Sequence, residues 1–233
     1  MLPHENKPIE PKLLLFDVYE TLLDMRQIER LVNQILDSKR GYIIWFELFM
    51  QYSFVDNCTT QFHDFISIAN ATLRMTHRIL GREERTDRIE EILELMKHLP
   101  IREGVQQCLS DLHGQGYRIA ALTNSPEKIV KERMERTGLI SYFENVYSAE
   151  QVRKFKPARQ VYEWVAEKLS LHTDEILLVS AHGWDIAGAE NAGMQTAYME
   201  YNRRLLYPLA PPPDFICKNL AELVLQLRSF FHR

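Results

Sequence analysis

Asp17 follows four apolar residues, Leu13-Leu14-Leu15-Phe16, and Thr21 stands four positions further on. A carboxylate directly after a buried segment is costly unless a cation or hydrogen bonds meet it. Once ionised, it can attack an electrophilic centre and form an ester that water later opens. The plainer reading is an Asp that caps the following turn. Lys156, in Lys154-Phe155-Lys156-Pro157, is the natural cation to keep Asp17 ionised, unless it is a solvated surface charge. Asp185 either anchors Lys156 or caps the helix it begins. Thr21 and Thr123 offer hydroxyls and Asn124 an amide, which orient a bound anion or else satisfy loop backbone.

These residues lie far apart in sequence, so the elements that carry them must bring them together. Three short apolar runs end in polar residues: Leu13-Phe16 before Asp17, Ile119-Leu122 before Thr123-Asn124-Ser125, and Ile176-Val179 before Ser180-Ala181-His182. Runs this short and this uniformly apolar predict strands buried on both faces of a parallel sheet. Asn145-Ser148 and Gln195-Met199 are weaker strand candidates. Helical patterns at Val105-His113, Glu127-Arg136, Val161-Leu169 and Asp185-Ala192 alternate with them, the last closed by Gly193. The expected fold is a Rossmann-like, doubly wound α/β sheet. Between the first strand and the rest the chain reads as helix only, at Ile28-Leu36, Ile43-Tyr52, Phe62-Leu80 and Ile89-Met96. The expected division is a core of residues 1–24 and 100–233 with an inserted helical cap of residues 25–99. Ligands of open parallel sheets bind beyond the carboxyl ends of the strands, so the three polar endings converge on one crevice.

Four segments in order resemble the haloacid dehalogenase superfamily of aspartate-nucleophile hydrolases. Asp17-Val18-Tyr19-Glu20-Thr21 matches its first motif and Leu122-Thr123-Asn124-Ser125 its second. Lys156-Pro157 with Val161-Tyr162 matches the third, and Ser180-Ala181-His182-Gly183-Trp184-Asp185 with Gly188-Ala189 the fourth. Phosphatases of the superfamily carry a second Asp where Tyr19 stands, as general acid, and a magnesium-ligand Asp where Ser180 stands. Without them, phosphoryl transfer loses a proton donor and an oxygen ligand for Mg²⁺. Displacement of a halide at carbon needs neither. The resemblance is therefore closest to the type II, L-2-haloacid dehalogenases. It implies Asp17 as nucleophile, Lys156 and Asp185 as its electrostatic support, and backbone amides after Asp17 with Thr123 and Asn124 on the substrate carboxylate. Ser180, Tyr19 and Trp184 are further substrate-side residues, with plain core packing as the alternative for Trp184.

The departures from that pattern are specific. The cap arginine that helps take the halide falls on Asp37 here, with Arg40 nearby. The fourth-motif Asn is His182, and the Gly after the first-motif Tyr is Glu20. A branch of dehalogenase-like proteins carries this Glu and His together. A neutral imidazole is a good base near pH 7 when a carboxylate holds its other nitrogen. Glu20 and His182 are therefore expected to pair and activate the hydrolytic water, against the alternative of a His bonded within a packed loop and a Glu facing solvent.

Composition narrows the remaining classes. The 233 residues are 45% hydrophobic and 26% charged, with 28 Lys and Arg against 32 Asp and Glu, a net charge of −4. That excludes disorder as the main state and gives no reason to expect nucleic acid or an anionic membrane as partner. No run approaches the ~18 apolar residues of a membrane span, and the N-terminus does not resemble a signal peptide. Three cysteines, Cys58, Cys108 and Cys217, form no C-x-x-C and are expected to be buried thiols of a cytoplasmic protein. No metal and no cofactor are expected, magnesium entering only under the alternative of a small-molecule phosphatase. A third reading is a non-catalytic binding protein. The expected partner is a small anionic substrate. Trp45, Phe46 and Phe49 either support a homodimer or cover the active site.

Overall fold

The structure is a computed structural model that describes residues 8–201 and 205–231. All five residues of β1 (Leu13–Asp17) are buried, and the side chains alternate between two cores. Leu14 and Phe16 join the larger core, Leu13 and Leu15 the smaller one on the opposite face. A strand with apolar residues on both faces needs cover on both, and β1 accordingly lies inside a six-stranded sheet. The other strands are β2 (Arg118–Thr123), β3 (Asn145–Ser148), β4 (Ile176–Ser180), β5 (Gln195–Met199) and β6 (Phe215–Cys217). The order is β3-β2-β1-β4-β5-β6 and every pairing is parallel. Register aligns Asp17 with Leu122, and Phe16 with Val179, so the three polar endings come level at one sheet edge.

Helices α1 (Arg26–Ile35), α2 (Gly41–Thr59), α3 (Phe65–Ile79) and α4 (Thr86–Met96) fill the stretch between β1 and β2 before α5 (Val105–Gly114). The chain leaves and returns side by side. Leu23 bridges Ile101 in antiparallel fashion, Asp24 N donates to the Pro100 carbonyl at 2.9 Å, and Arg102 N donates to the Leu22 carbonyl at 2.8 Å. The expected junctions at 24/25 and 99/100 lie beside this bridge.

The remaining helices are α6 (Glu127–Arg136), α7 (Arg159–Leu169), α8 (Gly183–Asn191) and α9 (Leu220–Phe231). On α8, a Cβ at Gly188 would lie 2.5 Å from Pro157 Cβ and 2.7 Å from the Tyr162 hydroxyl, so only glycine lets the Lys156 loop pack this closely.

Three expectations are corrected. α2 runs from 41 to 59, not 43 to 52, because its apolar residues face both the other helices and the sheet edge. β6 and α9 lie outside the elements that the sequence predicts. β6 is only three residues long, but the spacing of Leu220, Leu223, Val224 and Leu227 is a readable helical stripe. Cys58 is exposed, while Cys108 and Cys217 are buried as expected.

Candidate active site

Asp17 ends β1 and Lys156 reaches it from the loop before α7. Lys156 Nζ donates to Asp17 Oδ1 at 2.7 Å, to Asp185 Oδ2 at 2.8 Å and to the Leu122 carbonyl at 3.1 Å. All three ammonium protons are thereby used, and the side chain is 1% exposed. Burial by itself would lower the lysine pKa, but the Asp17 and Asp185 charges outweigh it and the net direction is upward. The Tyr162 hydroxyl donates to Asp185 Oδ1 at 2.6 Å, and burial together with Asp185 holds its pKa well above the usual phenol value. Of the two alternatives for Asp185, the geometry matches the anchor. Its two carboxylate oxygens go to Lys156 and Tyr162, and its place in the first turn of α8 favours a negative charge.

Thr21 Oγ1 donates to Asp17 Oδ2 at 2.7 Å and accepts the Ala181 N–H at 3.0 Å, tying the nucleophile candidate to the turn after β4. All four oxygens of Asp17 and Asp185 therefore hold a donor. Among the described residues no three His, Cys, Asp or Glu gather as a metal-ligand group.

His182, in the turn between β4 and α8, lies between two rings. It stacks on Trp184 at 4.9 Å and on Phe46 at 5.9 Å between centroids. Its Nε2 is 3.1 Å from the Tyr19 carbonyl, 3.6 Å from Glu20 Oε2 and 3.7 Å from Asp17 Oδ2. A carbonyl can only accept, so Nε2 carries the proton. This corrects the expected pair. Glu20 faces the same nitrogen that faces Asp17, just beyond hydrogen-bond range. Nδ1 is buried with no partner among the described residues. Glu20 does not face solvent: Oε1 accepts from the Tyr42 hydroxyl at 2.9 Å. Its backbone is left-handed, φ 62°, a conformation that costs a non-glycine residue roughly 1–2 kcal/mol. A strained position held by a buried carboxylate beside an imidazole marks a functional candidate.

Two expected substrate contacts have other partners. Asn124 spends both ends of its amide on Lys156: Oδ1 accepts the Lys156 N–H at 2.8 Å and Nδ2 donates to its carbonyl at 3.3 Å. Ser180 Oγ accepts the His182 N–H at 3.2 Å, so it stabilises the turn that carries His182. Thr123 Oγ1 accepts the Ser125 N–H at 3.1 Å and keeps its own hydrogen to donate.

Above Asp17 lies a cavity of about 30 Å³, bounded by Thr123, Lys156 and His182 below and by Tyr19, Trp45, Phe46, Phe49, Phe65 and Trp184 around it. Trp45, Phe46 and Phe49 are buried within the chain, at 0%, 7% and 1% exposure, and cover the site. Trp184 is a wall residue, with Lys156 Nζ 5.9 Å from its ring centroid. No arginine lines the cavity among the described residues. Asp37 is exposed and paired with Arg82 at 2.9 Å, and Arg40 is exposed at the start of α2. Sequence reasoning missed Tyr42, which only the fold brings to Glu20. Tyr162 was visible beside Lys156-Pro157 but its grip on Asp185 was not.

Among the described residues, no helix is long and apolar enough to cross a membrane. The chain is 26% identical over 213 residues to (S)-2-haloacid dehalogenase 2 of Pseudomonas sp. (strain CBS-3), covering 90% of this chain and 93% of that protein. It is 32% identical over 148 residues to the phosphoglycolate phosphatase of Vibrio parahaemolyticus, covering 63% and 64% of the two. The L-2-haloacid dehalogenase of Xanthobacter autotrophicus, solved with chloropropionic acid covalently bound, superposes with a TM-score of 0.84 at 24% identity, over 94% of this chain and 99% of that one. The family model for haloacid dehalogenase-like hydrolases matches residues 11–193, the span that holds every residue of the site above, and the chain belongs to that family.

Proposed function

We propose that this hydrolase converts small 2-halo carboxylic acids to 2-hydroxy acids through an ester on Asp17. The observation that carries the reading is Asp17 itself, a buried carboxylate ion-paired with Lys156 and oriented by Thr21 beneath a small apolar cavity. Its relatives named as (S)-2-haloacid dehalogenases, matched over nearly their whole length, point the same way. A carboxylate oxygen of Asp17 attacks the halogen-bearing carbon, the carbon–oxygen bond forms, and the halide leaves with the bonding pair. Water then adds to Cγ of the ester, the product hydroxyl departs, Asp17 returns as carboxylate, and one proton is released. Lys156 lies beside the charge that develops on the Asp17 oxygens in that second step, where a fixed cation has most effect. Backbone amides after Asp17 and the Thr123 hydroxyl take the substrate carboxylate. The core segments 1–24 and 100–233 thus supply the charged groups, and segment 25–99 supplies the apolar lid. The described parts of those ranges carry every residue of the argument.

The test is a panel of 2-halo acids and phosphate esters, followed by intact-protein mass spectrometry. Halo acids should turn over, with bromide leaving faster than chloride and chloride faster than fluoride. The phosphatase likeness gives a second reading, and a chelator separates the two. Under the dehalogenase reading, excess EDTA should leave the rate within about twofold and added Mg²⁺ should not raise it. Hydrolysis of phosphate esters that stops on chelation would establish the phosphatase.

His182 gives a further prediction. Because its proton sits on Nε2, toward Tyr19, it acts as a donor that fixes the loop after Asp17 rather than as the base for water. His182→Ala should slow turnover by about tenfold, the worth of one hydrogen bond of roughly 1–1.5 kcal/mol, with no build-up of the ester. An ester that accumulates in this variant would restore the general-base role.

A further inference from the structure

Lys156 stands in a stretch, residues 153–158, that belongs to no helix or strand. Phe155 and Lys156 are nevertheless fully buried, at 0% and 1% exposure. Buried backbone N–H and C=O groups outside regular structure must find partners elsewhere. Two side-chain amides provide them, one for each residue, beside a turn bond from the Ala158 N–H to the Phe155 carbonyl at 2.9 Å. Asn124, at the end of β2, takes both polar groups of Lys156, as described above. Asn57, near the end of α2, does the same for Phe155. Its Oδ1 accepts the Phe155 N–H at 2.9 Å and its Nδ2 donates to the Phe155 carbonyl at 2.8 Å. The main-chain carbonyl of Asn57 also accepts Lys154 Nζ at 3.0 Å. The Phe155 ring stacks on Phe62, from the segment after α2, at 5.3 Å and 18°. Each amide acts as one peptide unit of a neighbouring strand that is not there. One of the two comes from the helical insertion.

We propose that Asn57 is a positioning residue for Lys156. By clasping Phe155 it ties the seating of α2 to the placement of the ammonium between Asp17 and Asp185. The proposal rests on the role given to Lys156 above. Asn57 does not line the cavity, so it acts only through the loop. Misplacement of a reacting group by about 1 Å can cost on the order of 100-fold in rate. The substrate pocket itself should be unchanged.

The experiment compares Asn57→Ala with Thr59→Ala in the full-length protein. Thr59 Oγ1 donates to the Val55 carbonyl at 2.9 Å in the same last turns of α2 but does not touch the loop. Asn57→Ala is expected to lower kcat and the single-turnover rate of ester formation by about 10- to 100-fold, with KM within about threefold. Thr59→Ala should match the parent. Asn57→Asp keeps the acceptor for Phe155 N–H and loses the donor, so its rate should fall between Asn57→Ala and the parent. Amide hydrogen exchange is read alongside. In Asn57→Ala the Phe155 amide should exchange faster, and so should the Lys156 amide, although its own bond to Asn124 is intact. Parental kcat in Asn57→Ala, an equal loss in Thr59→Ala, or unchanged exchange at Lys156 would each overturn the proposal. If the parent turns over no halo acid, the function proposed above fails, and the exchange measurement still decides the clasp.

Discussion

Asp17→Asn is expected to reduce turnover by on the order of 10⁴-fold or more while leaving the protein folded, the scale seen when a nucleophile is removed outright. The amide has the shape of the carboxylate but lacks its charge and nucleophilicity. Its effect on folding should be small for a reason visible in the site. Lys156 has two carboxylates for one positive charge, and neutralising Asp17 leaves it paired with Asp185 at 2.8 Å. The amide oxygen can accept from Lys156 where Oδ1 does now. The amide nitrogen can donate to Thr21 Oγ1, because that hydroxyl can turn its own hydrogen away. Melting within a few degrees of the parent, no added mass after mixing with substrate, and no product are the expected results. A variant that retains a tenth of the parental activity would rule out Asp17 as the nucleophile.

Lys156→Met is expected to lose both activity and stability, which separates it from Asp17→Asn. Methionine matches the length of the side chain, so little cavity forms. The two buried carboxylates, however, are left facing each other without a counter-charge. Removing one partner of a buried ion pair typically costs about 3–5 kcal/mol. Urea unfolding should register that loss, and ester formation on Asp17 should fall below detection. The parent's pH dependence follows from the same contacts. A lysine whose pKa is raised in the folded state contributes stability that is fully present below the unfolded value, about 10.4. That contribution is lost as pH rises through the higher folded value. Parental stability should therefore hold to about pH 10 and fall above it, and the step should be missing in Lys156→Met. Equal alkaline behaviour of the two proteins would contradict the assignment.

How much of this was legible without coordinates depends on how local each signal is. Asp17, Thr123 and Ser180 each follow an apolar run. In a parallel sheet such endings must come level at one edge, and the register of β1 with β2 and β4 does so. Lys156 was legible as a counter-ion for Asp17, while Asp185 stayed open between anchoring Lys156 and capping the helix it begins. The side-chain partners within the site were not legible. Asn124 and Ser180 look like substrate contacts from their place in the motifs, yet the fold gives both a backbone group that would otherwise be buried unpaired. The Glu20–His182 pair was legible as a proximity, but not the nitrogen involved, because that turns on where the Tyr19 carbonyl points.

By itself, the sequence determined the parallel α/β architecture, the helical insertion after the first strand, and the charge set Asp17, Lys156 and Asp185. The architecture follows from apolar periodicity, which acts along a few neighbouring residues, and the charge set from the cost of burying an isolated charge together with the resemblance of the four motifs. Only the tertiary structure decided which polar groups satisfy one another, that Trp45, Phe46 and Phe49 close over the nucleophile, and that Asn57 grips the lysine loop across 98 positions of chain. Hydrogen bonds need a distance and a direction to be met at once. Between residues so far apart, neither exists until the helices have packed against the edge of the sheet.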